Sequence, residues 1–292
     1  MSAIEGTYQG FEVEIRDPGI GLITFTEPAR LNAMSAGTRR DLAEVLNIAQ
    51  LDDAIRVVVF TATGRGFVAG VSNQNRGPAD PTLVPPIPTH EHVPVDLYGR
   101  LRLHAQELPR AVRRLDKFSI AAVNGFAIQL GLSLVLACDF AIAGRSAQLG
   151  SATLRMGWQP DEGGHWLLVE HLGVKRTLDF LMHKRIVDGE EAVRLGLVNE
   201  CVEDEQLMER TMELATELAN GPQVAMRLLK RAVYNAASLT FDQAGDDIAS
   251  KTAISDFHRD ALEGAPAFFA REPATFNKWL TGDDQNPDSH QQ

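Results

Sequence analysis

Apolar residues recur with two periods along this chain, and the shorter period predicts strands. Residues 11–25, FEVEIRDPGIGLITF, alternate apolar and polar side chains on either side of Asp-Pro-Gly. Because successive side chains of a strand point to opposite faces, this stretch predicts a β-hairpin with its turn near Asp17–Gly21. The runs RVVVFTAT (56–63), SIAAVNGFAI (119–128) and FAIAG are apolar almost throughout. Such runs are typical of strands buried on both faces of a parallel sheet.

The longer period predicts helices between and after these strands. Leu42, Val45, Leu46, Ile48 and Ala49 are assigned to one side of a helix predicted near residues 37–52. A glycine at position 196 is typical of a helix C-terminus. The same reasoning predicts helices at 97–115, from Gly131 onward, at 165–181, before Gly196, and at 204–235.

Alternation of buried strands with helices up to about residue 200 predicts an α/β fold with a mainly parallel sheet. Beyond that point only helices are predicted. We therefore divide the chain into a core, residues 1–205, and a C-terminal helical region, residues 206–292. Within the core, residues 77–96 hold six prolines and no apolar period. This composition predicts a variable loop, and a lid is one function such a loop can have.

Composition narrows the classes of partner. The 292 residues are 44% hydrophobic and carry a formal net charge of −11. No basic block is long enough to follow a phosphate backbone, so we expect no nucleic-acid partner. No segment approaches the roughly 20 apolar residues of a membrane span, so we expect no membrane partner. Two cysteines, Cys138 and Cys201, make no disulfide framework, which favours a cytoplasmic protein.

Several catalytic signatures are missing from the sequence. It contains no G-x-G-x-x-G after a strand, no phosphate-binding Walker loop and no G-x-S-x-G elbow. His90 and His92 have metal-like spacing but lie in the proline-rich loop, where a solvated pair is the simpler interpretation. What remains are two glycine-bearing junctions, GRGFVAGVSN and NGFAIQLGLSL. Both are either ordinary turns or a pair of main-chain N–H donors that stabilise negative charge on a carbonyl oxygen.

The stretch LRMGWQPDEGGHWLL places Asp161 and Glu162 before a Gly-Gly turn and a helical pattern. Asp is a favoured residue at a helix N-terminus, and Glu162 is stabilised by the same helix end. A carboxylate in a dry pocket can instead transfer protons. The residues alone leave both interpretations open.

Five stretches together resemble the crotonase (enoyl-CoA hydratase/isomerase) superfamily over residues 10–280. They occur in that family's order and spacing: PARLNAMS, RVVVFTATGRGFVAG, IAAVNGFAIQLGLSLVLACDFAIA, GWQPDEGGHWLLVEHLGVKRTLDFLMHKRIVDGEEAVRLGLVNECV and EGAPAFFAREPATF. The resemblance implies a β-β-α spiral core with a C-terminal helical trimerisation region. It also implies an acyl-CoA thioester as substrate, no metal or redox cofactor, coenzyme A only as part of the substrate, and a homotrimer or a hexamer built as a dimer of trimers.

The resemblance also assigns roles to particular residues. The two N–H groups that hold the thioester oxygen fall on Val71 and Leu130. The two glutamates that add water in the hydratases fall on Ser133 and Thr153, and neither side chain exchanges a proton with water near neutral pH. Ordinary hydration is therefore not expected. Several isomerases of the family carry an acid at the position of Asp161, so we expect Asp161 to be the catalytic acid/base and Glu162 to lie at the helix start or pocket rim, with a second proton-handling role left open.

Other positions are weaker candidates for substrate binding. Large aromatic residues more often belong to the hydrophobic core than to a binding site, and exposed arginines often contribute nothing measurable to binding. With that reservation the substrate-binding candidates are Arg30, Leu31, Ala33, Ala69, Ser72, Asn73, Gln74, Phe126, Ser133, Thr153, Trp158, Phe268 and Lys278. The expected activity is double-bond or ring isomerisation of an enoyl-CoA through an enolate. The alternatives are a hydratase-like lyase or thioester hydrolase with relocated acids, and a CoA-binding protein without catalysis.

Overall fold

The computed structural model of the chain describes residues 2–72 and 94–281. The chain divides into two units, Met1–Ala215 and Thr216–Gln292. The strands are β1 Gly6–Tyr8, β2 Phe11–Arg16, β3 Ile20–Phe25, β4 Val57–Ala62, β5 Gly66–Val68, β6 Phe118–Val123, β7 Phe126–Ile128, β8 Phe140–Gly144, β9 Gln148–Gly150, β10 Ile186–Asp188 and β11 Glu200–Val202. The helices are α1 Ala36–Leu51, α2 Pro94–Arg100, α3 Glu107–Arg114, α4 Leu130–Ala137, α5 Gly164–Met182, α6 Gly189–Leu195, α7 Leu207–Asn220, α8 Gln223–Ala236, α9 Phe241–Asp256, α10 Arg259–Ala270 and α11 Lys278–Thr281.

The strands of the first unit form two sheets. The larger has the order β1-β2-β3-β4-β6-β8-β11 and is parallel from β3 onward. The smaller has the order β10-β9-β7-β5, with β9, β7 and β5 parallel. A strand of the larger sheet, a strand of the smaller sheet and a helix follow one another three times along the chain, ending in α3, α4 and α5. This repeated β-β-α order brings the ends of β5, β7 and β9 to one edge, where α4 begins.

The predicted α/β class with a mainly parallel sheet is confirmed, and so is the hairpin. β2 pairs with β3 in an antiparallel register that joins Arg16 to Ile20 across the turn. The prediction of one strand over 119–128 is wrong, because the chain breaks at Asn124–Gly125 and continues as β7 in the other sheet. A Cβ at Gly125 would lie 2.0 Å from the Arg65 carbonyl oxygen, so the crossing requires glycine.

Two predicted helices are interrupted. Residues 101–105, inside the helix predicted at 97–115, form a π-helical turn between α2 and α3. The helix predicted at 165–181 bends at Gly173, which has φ 72° and ψ 168°. The predicted loop at 77–96 lies outside the described residues except for its last three positions, which begin α2.

The interior of the first unit is a large apolar cluster, with a smaller one around Ala122, Ile142 and Leu207. In this unit α1 packs on α3, α3 on α4, and α4 on α5. Five phenylalanines are almost fully buried in the large cluster: Phe11, Phe25, Phe60, Phe67 and Phe180. In the second unit α9 packs on both α8 and α10. Across residues 2–72 and 94–281, the helices are too short or too polar to traverse a bilayer.

Candidate functional site

The two strand ends predicted to bind a carbonyl oxygen lie side by side. β5 and β7 are parallel neighbours, and the residues that follow them include Val71 and Leu130. A Cβ at Gly131 would lie 2.0 Å from the Val68 carbonyl oxygen, so only glycine permits the start of α4 to approach β5 this closely. Neither the Val71 nor the Leu130 N–H donates a hydrogen bond to any described residue. Leu130 is the first residue of α4, where an N–H has no partner within the helix.

The segment after β5 is held by the segment before α1. The Ala69 N–H donates to the Leu31 carbonyl oxygen at 3.0 Å, and the Ser72 N–H donates to the Met34 carbonyl oxygen at 2.9 Å. The structure therefore brings together four of the substrate-binding candidates: Leu31, Ala33, Ala69 and Ser72. Arg30 is exposed just before them, and its guanidinium lies 3.8 Å from the Glu27 carboxylate.

The remaining candidates are placed in different surroundings. Ser133 is buried on α4, and a Cβ at Gly164 would lie 3.2 Å from its Oγ, so the hydroxyl faces the start of α5. Phe126 is partly buried in β7, whereas Trp158 is exposed. Phe268 and Lys278 belong to the unit Thr216–Gln292, where Phe268 is exposed and Lys278 forms a 2.9 Å ion pair with Glu263. Asn73 and Gln74 lie outside the described residues.

Neither acid of the PDEGG stretch caps α5. The N-cap residue is Gly163 in a left-handed conformation, and no side chain accepts a capping hydrogen bond there. The capping interpretation of Asp161 is therefore wrong. The rim position expected for Glu162 is wrong as well, because its side chain is 2% exposed while Asp161 is only partly buried. The positive φ of Gly163 redirects the chain between the acids and the helix.

A buried amide holds Glu162. Gln129 Nε2 donates to Glu162 Oε2 at 3.0 Å. The amide oxygen of Gln129 accepts from Ser151 Oγ at 2.7 Å and from Thr153 Oγ1 at 3.4 Å. Gln129 thus connects the start of α4, the residues after β9 and the acids before α5. Asp161 is held through its main chain, since Gln106 Nε2 donates to its carbonyl oxygen at 3.2 Å.

The two carboxyl groups interact with each other and with a partly buried cation. Burial, followed by a hydrogen bond and charge repulsion from Asp161, raises the pKa of Glu162 to about 8. Burial lowers the pKa of Arg39 on α1, and the nearby charges of Glu162 and Asp161 oppose that effect. Burial and the charge of Arg39 both lower the pKa of His104 in the π-helical turn. At neutral pH, Glu162 is therefore mostly protonated beside Asp161 and Arg39.

Sequence reasoning missed Arg39, Gln106, Gln129 and Ser151. They come from α1, the residue before α3, the β7–α4 junction and the residue after β9, and no motif spacing links them. The one local signal is Gln129 itself, a long polar side chain within an apolar junction. Its backbone has φ 55° and ψ −100°, a region that residues other than glycine rarely occupy.

This arrangement has the parts for proton transfer next to a carbonyl. Two unpaired N–H groups can stabilise an oxyanion, and a carboxyl pair that holds one proton can exchange protons with a neighbouring carbon. Within the described residues no three His, Cys, Asp or Glu side chains converge as metal ligands, and His90 and His92 lie outside that part of the chain. A separate apolar cavity of about 350 Å³ lies between Leu154–Pro160 and α5, and neither acid lines it.

Comparison with known proteins agrees with this geometry. A family model described as enoyl-CoA hydratase/isomerase matches residues 16–278. The chain is 33% identical to the 1,2-epoxyphenylacetyl-CoA isomerase of Escherichia coli strain K12 over 89% of this chain and 95% of that protein. It is 30% identical to the hydroxycinnamoyl-CoA hydratase-lyase of Pseudomonas fluorescens, over 86% and 87% of the two chains.

Solved structures show the same fold. The crystal structure of an enoyl-CoA hydratase from Bacillus anthracis superposes with a TM-score of 0.82 at 26% identity, covering 92% of this chain and 99% of that chain. The expected crotonase fold, including a C-terminal helical region, is thereby confirmed. Fold, family model and relatives agree over nearly the whole chain, and the protein belongs to the enoyl-CoA hydratase/isomerase family of the crotonase superfamily.

Proposed function

We propose that this protein isomerises an enoyl-CoA by moving a double bond or rearranging a ring, with Asp161 as the catalytic acid/base. The observation that carries the proposal is the placement of the acids. Asp161 and Glu162 form a partly buried pair next to the β7–α4 junction, and neither is used to cap α5. Ser133 and Thr153, by contrast, offer only hydroxyl groups where the hydratases of this family carry glutamates.

The reaction removes a proton from one carbon of the acyl chain and adds a proton to another. The Asp161 carboxylate removes a proton from the carbon alpha to the thioester carbonyl, and the electron pair passes to the carbonyl oxygen. The N–H groups of Val71 and Leu130 stabilise the resulting enolate oxygen. The protonated Asp161 exchanges with solvent and then gives a proton to a carbon further along the acyl chain, so the double bond moves, and reversal of the first step carries solvent hydrogen to the alpha carbon. No water is consumed and no oxidant or reductant is needed, because one proton is gained for each proton lost, the electron pair stays within the acyl chain and the CoA thioester remains intact.

The test is proton exchange at carbon in heavy water. Straight-chain Δ3-enoyl-CoA, ring-containing acyl-CoA and crotonyl-CoA are compared for product formation and for deuterium at the alpha carbon. We expect deuterium to enter with one of the first two substrates. Asp161→Asn should lower the exchange rate by about 10²–10⁴-fold, the usual contribution of a general acid/base.

A matched control comes from the same helix that follows the acids. Asp179→Asn removes an exposed carboxylate of α5 that pairs with Arg185 at 3.3 Å. This variant should keep full activity, and both variants should keep their thermal stabilisation by CoA. Exchange that survives in Asp161→Asn would contradict the assignment. Stabilisation by CoA with no reaction in the wild type would indicate a binding protein without catalysis.

A second candidate is a hydratase-like lyase with relocated acids. It is favoured by the presence of two carboxyl groups, because hydration needs one group to activate water and another to protonate carbon. The 30% identity to a hydroxycinnamoyl-CoA hydratase-lyase is consistent with it. Labelled water separates the two functions, since ¹⁸O appears in the product of a hydratase and not in that of an isomerase.

We further propose that the active protein is a homotrimer or a dimer of trimers. The unit Thr216–Gln292 exposes large apolar side chains on α8, α9, α10 and the turns between them. So many exposed large apolar side chains within one unit favour a protein interface there. These side chains are Leu229, Val233, Phe241, Ile248, Ile254, Phe257, Leu262, Phe268 and Phe269.

A further inference from the structure

The backbone of Gln129 is unusual for a residue with a side chain. Its φ of 55° and ψ of −100° lie where glycine is favoured, and the residue is buried. Residues held in sparsely populated backbone regions persist only where surrounding contacts over-determine them, and they cluster at functional sites. At Gln129 the main-chain N–H donates to the Gly150 carbonyl oxygen at 2.9 Å, and the side-chain amide makes three further hydrogen bonds.

The side-chain amide of Gln129 lies between two hydroxyl groups and the Glu162 carboxyl. Its oxygen accepts from Ser151 Oγ at 2.7 Å and from Thr153 Oγ1 at 3.4 Å. Its nitrogen donates to Glu162 Oε2 at 3.0 Å. Because Oε2 accepts this hydrogen bond, the proton of the neutral Glu162 carboxyl resides on Oε1.

The charged groups around Glu162 include an acceptor for a hydrogen bond from its protonated carboxyl group. Asp161 is in hydrogen-bond contact with the Glu162 carboxyl. Arg39 faces both acids from α1, and His104 of the π-helical turn lies near Arg39. Burial is the largest cause that raises the pKa of Glu162 to about 8, and the hydrogen bond from Gln129 acts in the opposite direction. Glu162 is thus a donor to Asp161 at neutral pH.

We propose that Gln129 is a positioning residue that orients the protonated Glu162 carboxyl so that it donates a hydrogen bond to Asp161. The inference rests on the proposed function, in which Asp161 is the base. Glu162 keeps its proton throughout the cycle, while Asp161 takes the alpha proton and gives a proton to a carbon further along the acyl chain. Since Gln129 directly precedes Leu130, one residue connects the carbonyl-binding N–H to the acid/base pair.

The first experiment follows the proton without substrate. Infrared difference spectra over a pH titration detect a carboxylic acid that ionises, and Glu162→Gln identifies the band. The wild type should show one such acid titrating near pH 8. In Gln129→Gly the same band should titrate at higher pH, because the carboxylate has lost a donor. Glycine suits the φ at this position and offsets part of the cost of losing the buried amide, so the variant should fold and melt at a temperature somewhat below that of the wild type.

The second experiment measures the rate of alpha-proton exchange against pH. In the wild type the rate should fall as Glu162 ionises above about pH 8. Gln129→Gly should lower kcat by about two- to tenfold at pH 7, the effect of losing a hydrogen bond to a neutral group. Its alkaline fall should begin at higher pH. Ser151→Ala removes one donor to the amide oxygen of Gln129. It should change kcat and the pH of the alkaline fall in the same directions as Gln129→Gly, but by smaller amounts.

The outcomes separate this inference from the proposed function. If the wild type isomerises no acyl-CoA, the proposed function fails while the titration still reports on Glu162. An unchanged titration in Gln129→Gly overturns the positioning role even when isomerase activity is intact. A titration that moves to lower pH places the amide oxygen on Glu162 and also overturns it.

Discussion

The two units of this chain differ in where their phenylalanines lie. In Met1–Ala215 four phenylalanines of the sheets, Phe11, Phe25, Phe60 and Phe67, are at most 1% exposed. In Thr216–Gln292 the phenylalanines of α9 and α10 and of the turn between them lie outside, between 77% and 92% exposed. The buried side chains of that unit include polar ones instead: Gln223, Lys230, Asp260 and Asn277.

The buried polar groups of the helical unit hold its segments together. Asn277 Oδ1 accepts from the Gln223 N–H at 3.2 Å, and the Asn277 N–H donates to Asp260 Oδ1 at 2.8 Å. These bonds link the starts of α8, α10 and α11. The first unit also buries polar groups, both around the candidate acids and elsewhere, as at Lys117, whose ammonium group donates to the Ala49 carbonyl oxygen at 2.6 Å. The contrast between the units therefore lies in their phenylalanines, several of which the first unit buries fully and most of which the helical unit exposes.

The largest predicted effect tests burial directly. Phe60→Ala removes a ring from the interior of the large sheet and should lower the free energy of unfolding by about 3–5 kcal/mol. Phe257→Ala, the same change at an exposed position, should stay within about 0.5 kcal/mol. Urea unfolding at low protein concentration, followed by circular dichroism, measures both. Equal losses of unfolding free energy in the two variants would show that the buried and the exposed phenylalanine contribute equally to stability.

The next effect depends on pH. It compares a buried carboxyl group of the first unit with a partly exposed carboxyl group of the helical unit. Unfolded Glu162 ionises near pH 4.5 and folded Glu162 near pH 8. Between these values the folded protein binds the extra proton, so stability is full below pH 4.5 and falls as pH rises through 8. Glu162→Gln cannot ionise. It should be more stable than the wild type by about 2–4 kcal/mol at pH 9 and within about 1 kcal/mol at pH 5, given ~1.4 kcal/mol per pKa unit.

The control for this titration lies in the helical unit. Glu263 is partly exposed and pairs with Lys278, whose hydrogen bond lowers the pKa of Glu263. Glu263→Gln should gain no stability over the wild type between pH 6 and pH 9, because this carboxylate is already ionised there in both states. Chemical unfolding at several pH values gives both curves. Parallel curves for the two variants would show that burial at Glu162 has no energetic effect.

A third prediction concerns the exposed apolar surface. Phe268→Ser together with Phe269→Ser should weaken self-association by about tenfold or more for each ring, since aromatic anchors at interfaces are worth about 1–2 kcal/mol or more. Analytical ultracentrifugation over a concentration series measures the shift toward smaller species. Leu51→Ser, which replaces an apolar side chain of the first unit that is 85% exposed, is the matched control and should leave assembly unchanged. An unaltered distribution in the double variant would exclude this surface as the subunit contact.

The fold was largely predictable because its main determinants are local. A buried strand such as β4 is a continuous apolar run, and α6 ends at a glycine, so each can be recognised within a few residues. The break between β6 and β7 was not predictable, because apolar residues continue on both sides of Gly125. Its cause is the approach of the Arg65 carbonyl, a contact between residues distant in sequence.

The candidate site was predictable only in part for the same reason. Asp161, Val71 and Leu130 were identified by resemblance to a family, and their catalytic roles remain predictions. The surroundings that set the protonation of Glu162 come from Arg39, Gln129 and burial, and none of these is a property of local sequence. The burial of Glu162 depends on the left-handed Gly163, which separates the acids from the helix they precede.

The smallest predicted effect concerns helix caps, and it tests whether the two units also differ in local hydrogen bonds. Ser35 Oγ accepts from the Thr38 N–H at 3.0 Å at the start of α1, and Thr240 Oγ1 accepts from the Gln243 N–H at 3.3 Å at the start of α9. Ser35→Ala and Thr240→Ala should each cost about 1 kcal/mol, because a cap satisfies the same free N–H group wherever the helix lies. Paired urea unfolding curves decide the matter. Equal losses would confine the contrast between the units to the burial of side chains, whereas a much larger loss at Thr240 would mean that the helical unit relies on its caps in place of an apolar interior.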